Sequence, residues 1–286
     1  MTDKPTTAAG YGPRQTELVR ATCLYVATKL GDLLNEVVVI GGLVPSLLID
    51  QHVPGSGIDV HVGTMDLDLG LTLAIFDRKR YQTLTERLRR AGFAPDRNEQ
   101  GAATRQCWRI VGEGSVTVDF LIPPTNAKDR GGDLRNIEPD FAAFIAPGLP
   151  LAFEHRISVT ISGRTILGEE ATRDIWVCDP GAFVVMKALS CGSRGENKDA
   201  YDLYYVVRNF GNGIEDVLRY IHPLVDHHDS RQAFAILRAD FLAHDAIGPR
   251  RVASFLTGGS DDTIQADVVG FIGSLVKRWQ PPTDSA

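Results

Sequence analysis

Asp66 and Asp68, in the stretch His61-Val-Gly-Thr-Met-Asp-Leu-Asp-Leu-Gly-Leu71, are the side chains whose type and spacing most directly offer chemistry. Side chains alternate faces along a strand, so both carboxylates project to one side, with Cα atoms about 6.5 Å apart, while Leu67 and Leu69 face the core. Like charges this close raise each other's pKa, and burial adds to the effect. Three arrangements relieve that: the face is open to water, the pair shares a proton as an acid/base dyad, or a divalent cation sits between them. Asp119, in Ser115-Val-Thr-Val-Asp-Phe-Leu121, bears on the choice. It shares a strand face with Thr117, and Val116, Val118 and Phe120 share the other. A third carboxylate from a neighbouring strand completes a hard-oxygen set suited to Mg²⁺ or Mn²⁺. Two such ions about 3.5–4 Å apart serve phosphoryl and nucleotidyl transfer. Paired carboxylates also serve glycosidases, which the rest of the chain does not favour.

Gly41 and Gly42 stand between the apolar run Val37–Ile40 and a predicted helix, Leu43–Asp50, whose first turn tolerates Pro45. Glycines allow close backbone approach and helix N-termini attract anions, so Gly41, Gly42 and the Ser46 hydroxyl are candidates for holding phosphate. The plain alternative is a tight strand-to-helix turn. Lys187 lies inside the apolar stretch Phe183-Val-Val-Met-Lys-Ala-Leu-Ser190, where its ammonium needs water or an anion. Lys198 opens the next helix, capped by Asn197, where its sign opposes the helix dipole. With Arg194 on the connecting turn, Lys187 and Lys198 form a candidate triphosphate clamp, and Asp202 is placed to orient a lysine.

These residues need a scaffold that places strands first and helices second. The spacing predicts a helix over 14–30 ended by Gly31, buried strands at 36–40 and 64–73, and a helix over 76–93. That last helix carries an apolar stripe of Tyr81, Leu84, Leu88 and Ala91 and a polar one of Arg78, Gln82, Thr85 and Arg89. A hairpin is predicted from 104–111 and 115–124. Residues 124–150 read as loop, followed by short strands at 157–161, 164–168 and 174–180. From 179 onward the pattern is helical: 180–191, 198–210, 214–222, 230–243, 248–256 and 261–278. The sequence thus predicts an α+β fold, with a mixed sheet in residues 1–150 and a mainly helical part in 151–286. The N-terminus is polar and no apolar run reaches the roughly 20 residues a membrane span needs. Cys23, Cys107, Cys178 and Cys191 are scattered without a C-x-x-C, which fits neither a zinc site nor a disulfide framework. A cytoplasmic protein is expected. A net charge of −6 gives no global attraction to nucleic acid, so local basic clusters must carry any such binding.

In order along the chain stand a Gly-Gly turn and helix, Thr64-Met-Asp-Leu-Asp-Leu69, a later lone strand aspartate, and Lys187-x6-Arg194-x3-Lys198-Asp-x2-Asp202-Leu-Tyr204. Over residues 35 to 210 this set resembles the AbiEii-type nucleotidyltransferases of the polymerase-β-like superfamily, which include the MenT-type toxins of type IV toxin–antitoxin systems. The resemblance implies a polymerase-β-like nucleotidyltransferase lobe followed by a helical lobe that completes the nucleotide and acceptor cleft. It implies Mg²⁺-dependent transfer of NMP from an NTP, for some members onto the 3′ end of tRNA, and a cognate antitoxin. It places Asp66 and Asp68 as the metal-binding pair, with Asp119 as the third carboxylate, Lys187 as the nucleotide-contacting lysine and Asp202 as the second-lobe aspartate. Thr64 stands where the family often has a serine. The interval from Gly42 to Asp66 is longer than in minimal members, as an inserted loop at 50–62 would make it, and the third carboxylate is often degenerate in the family.

Within this reading the Gly41–Gly42 turn and Ser46 hold the β- and γ-phosphates, Lys187 and Lys198 offset charge on the leaving pyrophosphate, and Asp119 helps deprotonate the attacking hydroxyl. RNA is the acceptor the resemblance favours, and a protein hydroxyl is the alternative. The basic face Arg78, Arg80, Arg87, Arg89 and Arg90 offers phosphate contacts, against the plainer reading of a solvated helix. The competing class is a binding module that holds nucleotide or a partner without chemistry. His61 reads as structural, and His227 and His228 as a helix end.

Overall fold

The computed structural model describes residues 4–55, 57–72, 78–98, 100–139 and 141–279; the side chains at 78, 80 and 81 lie outside the described set. The chain divides into two compact units. The first contains residues 1–4, 12–44 and 63–178, and the second residues 5–11, 45–62 and 179–286.

The first unit is built on a mixed nine-stranded sheet. Its strands are β1 Val37–Ile40, β2 Asp66–Leu71, β3 Ala94–Arg97, β4 Ala103–Val111, β5 Ser115–Ile122, β6 Leu134–Glu138, β7 Phe141–Ile145, β8 Arg156–Arg164 and β9 Glu170–Cys178. The order is β3-β4-β5-β2-β1-β9-β8, with β7 on the end of β5 and β6 on β7. β1 is buried along its whole length, as its unbroken apolar run requires of a central strand. β2 runs antiparallel to β1 and parallel to β5. That parallel pair needs a crossover, which runs through helix α3, Arg78–Arg90, and strands β3 and β4.

Helix α1, Pro13–Leu30, carries proline in its first turn and stops at Gly31, whose φ is +56°. A five-residue helix α2, Val44–Leu48, follows β1. Helix α3, Arg78–Arg90, buries Leu84, Leu88 and the following Ala91, the stripe read from the sequence; Tyr81 lies outside the described side chains. Thr85, on the polar stripe by spacing, is buried as well and donates to the Gln82 carbonyl, which removes the cost of hiding its hydroxyl. Trp108, Phe120 and Phe141 pack as a tilted aromatic cluster under the sheet, with centroids 5.1 to 6.5 Å apart.

Two stretches differ from the sequence expectation. Residues 124–150 hold β6 and β7 rather than loop alone, because Phe141-Ala-Ala-Phe-Ile145 pairs with β5 and is almost wholly buried. The strand expected at 164–168 is instead the turn of a hairpin: the Thr165 amide donates to the Glu169 carbonyl at 2.8 Å, Gly168 adopts φ +85°, and β9 runs back to Glu170. This β8–β9 hairpin lies beyond residue 150 yet belongs to the sheet, and the short helix α4, Leu149–Glu154, precedes it.

The second unit is helical: α5 Pro180–Ser193, α6 Asn197–Asn209, α7 Ile214–Ile221, α8 His228–Asp240, α9 Ile247–Thr257 and α10 Asp262–Arg278. Each falls where the periodicity puts it, within two or three residues. Asp179 caps α5 through the Ala182 amide at 2.8 Å, and Asp261 caps α10 through Ile264 at 3.0 Å. Glu196 takes the cap position of α6, so Asn197 is its first residue. Among the described residues no helix is long and apolar enough to cross a membrane.

Candidate functional site

The first unit assembles three carboxylates. In the parallel register of β2 and β5, Asp66 is opposite Thr117 and Asp68 opposite Asp119. Asp66, Asp68 and Asp119 therefore share a face, and each offers an oxygen within 4.8 Å of the others. On the opposite face Leu67, Leu69, Val118 and Phe120 are at most 2% exposed, so the strands have no freedom to turn over. Thr64 donates to Asp66 Oδ1 at 3.1 Å, and its own amide donates to the Thr16 hydroxyl at 3.2 Å.

Gly41 has a role the spacing did not disclose. Its φ is +72°, and a Cβ there would lie 1.9 Å from Asp68 Oδ2. The missing side chain is thus the room in which the Asp68 carboxylate sits. Gly42 is buried in the 3-10 turn Gly41–Leu43, and Ser46 lies half-buried in α2, a helix of under two turns.

Burial, then Asp68 and Asp66, push the Asp119 carboxyl up to about 7. Its Oδ1 is buried without a hydrogen-bond partner. Cys107, opposite Asp119 on β4, has its thiol pushed far above the usual range by burial and by Asp119. Lys4 reaches the same cluster, its Nζ 2.5 Å from Asp66 Oδ2. Burial opposes that ammonium, but Asp66 and Asp68 outweigh it and hold Lys4 firmly protonated. The donor set fits a hard divalent cation: three carboxylates of convergent aim, one oxygen unsatisfied, and a glycine wall that lets Asp68 turn inward.

The second unit gathers the other candidates into one buried ionic network. Lys187, on α5, donates to Asp199 Oδ1 at 2.8 Å and to Asp202 Oδ2 at 2.7 Å. Arg194 grips Asp199 with two parallel bonds, Nε to Oδ2 at 2.7 Å and Nη2 to Oδ1 at 2.9 Å. Lys198 reaches Asp202 Oδ1 at 2.7 Å, one turn along α6, so the cation that opposes the helix dipole has an anion within its own helix. His61 Nε2 lies 2.9 Å from that same oxygen, with the ring stacked on Tyr201 at 5.2 Å and meeting the edge of Tyr205 at 4.8 Å. Burial works against ionising Asp202 and Asp199. Lys187 with Lys198, and Lys187 with Arg194, overcome it and hold both carboxyls far below their usual range. Burial, against the pull of Asp202, drops His61 to about 4, so it is neutral at pH 7.

Sequence reasoning placed Lys187, Arg194, Lys198 and Asp202 together but passed over Asp199, and read His61 as structural without its partner Asp202. The signal for Asp199 was present: Asp199 and Asp202 are i,i+3 on one helix, the spacing that faces two side chains the same way. No periodicity pointed to His61 or to Lys4. On α3, Arg87 contacts the Leu30 carbonyl and Asp32, Arg89 lies over the Trp108 ring and Arg90 pairs with Glu86; the side chains of Arg78 and Arg80 lie outside the described residues. His227 caps α8 through the Asp229 amide, as a helix-end residue would.

No protein-family model matches the chain, and no curated protein matches it.

Proposed function

We propose that the protein is a Mg²⁺-dependent nucleotidyltransferase that moves NMP from an NTP to an acceptor hydroxyl, first among them the 3′ end of tRNA. The observation that carries the reading is the convergence of Asp66, Asp68 and Asp119 on one point of a parallel strand pair, with an unsatisfied Asp119 oxygen. Mg²⁺ or Mn²⁺ held there would neutralise the NTP phosphates. Asp66 and Asp68 would hold the cation, with the Thr64 hydroxyl bonded to Asp66 Oδ1 to orient it. Asp119, the third carboxylate of the cluster, takes the proton of the acceptor hydroxyl. The likeness to AbiEii-type enzymes assigns Lys187 to the nucleotide and Asp202 to the place of the second-lobe aspartate; the charges of Arg194 and Lys198 suit them to the phosphates beside Lys187, with Asp202 orienting a lysine, and the Gly41–Gly42 turn and Ser46 suit the β- and γ-phosphates. On that likeness rest also the polymerase-β-like fold, the role of growth-inhibiting toxin and the cognate antitoxin, while the cytoplasmic setting rests on the polar N-terminus and the scattered cysteines. A protein hydroxyl is the other acceptor.

One observation favours a second reading, a nucleotide-binding or regulatory module without chemistry. Lys4 already neutralises part of the carboxylate cluster, and Lys187, Arg194 and Lys198 already have buried carboxylate partners. Incubation with each α-labelled NTP, Mg²⁺ and total RNA separates the two. The enzyme reading expects label in tRNA-sized RNA with wild-type protein and none with Asp68→Ala. Label in protein instead moves the acceptor. Nucleotide binding without label anywhere establishes the second reading.

A further inference from the structure

Three carboxylates that face one another need a counter-charge, and the fold provides one from its own chain. Lys4 Nζ stands 2.5 Å from Asp66 Oδ2, with Asp68 and Asp119 close enough to act on it electrostatically. The ammonium is a compact point charge with three donors, the side chain best able to enter a carboxylate cluster. The segment after Lys4 is folded on itself: the Tyr11 hydroxyl donates to the Pro5 carbonyl at 3.3 Å, and Gly10 lacks the side chain that would collide with the Pro5 ring. Lys4 precedes proline, which restricts its backbone to extended conformations. Its side chain is nevertheless 48% exposed, against 9% for Asp66, so it can leave without opening the core.

A divalent cation held by these carboxylates would draw on the same three groups. The ammonium already uses Asp66 among them, and two cations within one cluster repel across a few ångströms of partly buried space. Metal and Lys4 are therefore alternatives. We infer that Lys4 is a built-in competitor for the divalent-cation site, occupying it in the metal-free protein and leaving when metal binds. This rests on the metal-site reading above and adds its regulation. The carboxylates stay neutralised in the resting protein, and the site fills only above a threshold of divalent cation.

The test is Mn²⁺ titration of the full chain, read from the electron paramagnetic resonance of free Mn²⁺, for wild type, Lys4→Met, Lys4→Arg and Asp68→Asn. Lys4→Met is expected to bind Mn²⁺ about two- to fivefold more tightly, the range for losing one half-exposed competing ion pair. Lys4→Arg keeps the charge and is expected to stay within twofold of wild type. Melting in EDTA gives a second readout. Lys4→Met should melt below wild type without metal and gain more from saturating Mn²⁺. If Lys4→Met and wild type bind equally while Asp68→Asn loses binding, the competition is refuted and the metal site stands. If neither wild type nor Lys4→Met binds Mn²⁺, the metal-site reading falls and the competition falls with it.

Discussion

Lys187→Met is the substitution whose outcome the geometry constrains most tightly. The ammonium lies between Asp199 and Asp202, 2.8 and 2.7 Å from their oxygens, and those carboxylate side chains are 2% and 0% exposed. Removing one partner of a buried pair costs about 3–5 kcal/mol, because the other charge stays buried. Here neither carboxylate is left alone: Asp199 keeps both bonds from Arg194, and Asp202 keeps Lys198 and His61. The loss should therefore fall at the low end, about 3 kcal/mol at pH 7.5. His61 then makes the result pH-dependent. In the wild type, burial is the main reason it is neutral, and Lys198 and Lys187 add to that. Without Lys187, one repelling cation is gone and Asp202 keeps only one of its two ammonium partners, so the His61 pKa rises towards its usual value. In the wild type His61 is depressed below its unfolded value, so the unfolded chain takes up that proton first and stability falls as pH drops from about 6.5 towards 4; a variant whose His61 titrates closer to the unfolded value loses less over that window. The deficit of the variant should accordingly shrink between pH 7.5 and 5.5. Urea unfolding followed by far-UV circular dichroism at both pH values measures it. A loss under about 1 kcal/mol at pH 7.5 would refute the view that Lys187 holds this network together. An equal deficit at both pH values would refute the role given to His61.

Three further outcomes follow from the same geometry. Gly41→Ala must take an α-left conformation and drive a methyl into the Asp68 carboxylate, so it should cost about 2–4 kcal/mol and abolish Mn²⁺ binding, measured by thermal melting and metal titration. Burial raises Asp119 to about 7, so the metal-free protein loses stability as pH rises from about 4 through 7, and the melting-temperature gain from Mg²⁺ or Mn²⁺ should grow over pH 6 to 8; a flat gain refutes Asp119 as a ligand. In the wild type, His61 at about 4 leaves stability intact above its usual 6.5 and removes about 3 kcal/mol as pH falls to 4; His61→Gln should flatten that window in acid-unfolding curves.

What could be read from sequence was whatever repeats with the period of an element. The alternation of Asp66 and Asp68 with leucine, and of Asp119 with valine and phenylalanine, fixes the faces of β2 and β5 before any pairing is known. The helices after residue 179 announce themselves in the same way. Pairings do not. That Lys187 meets Asp199 depends on how α5 packs against α6, and no local spacing encodes it. β7 was hidden because its five apolar residues sit among Gly, Pro and Asp, whose composition imitates loop. Gly41 reads as an anion-binding turn when its neighbours in sequence are considered, and as space for Asp68 when its neighbours in the sheet are. Lys4 lies in a polar, aperiodic segment, where tertiary contact alone gives a residue its meaning. Arg87 illustrates the practical cost: reversing its charge disturbs Leu30 and Asp32, so tests of RNA contact on α3 are better made at Arg89 and Arg90.

The parallel pairing of β2 with β5 carries an evolutionary consequence. The three aspartates become neighbours only after the chain has passed through α3, β3 and β4 and returned β5 in one register. Drift in the exposed turns between them leaves that return intact. A single-residue insertion within β5 ahead of Asp119 does not, because a shift of one position exchanges the faces of a strand. It would carry Val118 into the cluster and Asp119 into the packing around Trp108 and Phe141. The loops of the crossover can therefore change length, while the paired residues of β2, β4 and β5 stay fixed in count as well as in kind.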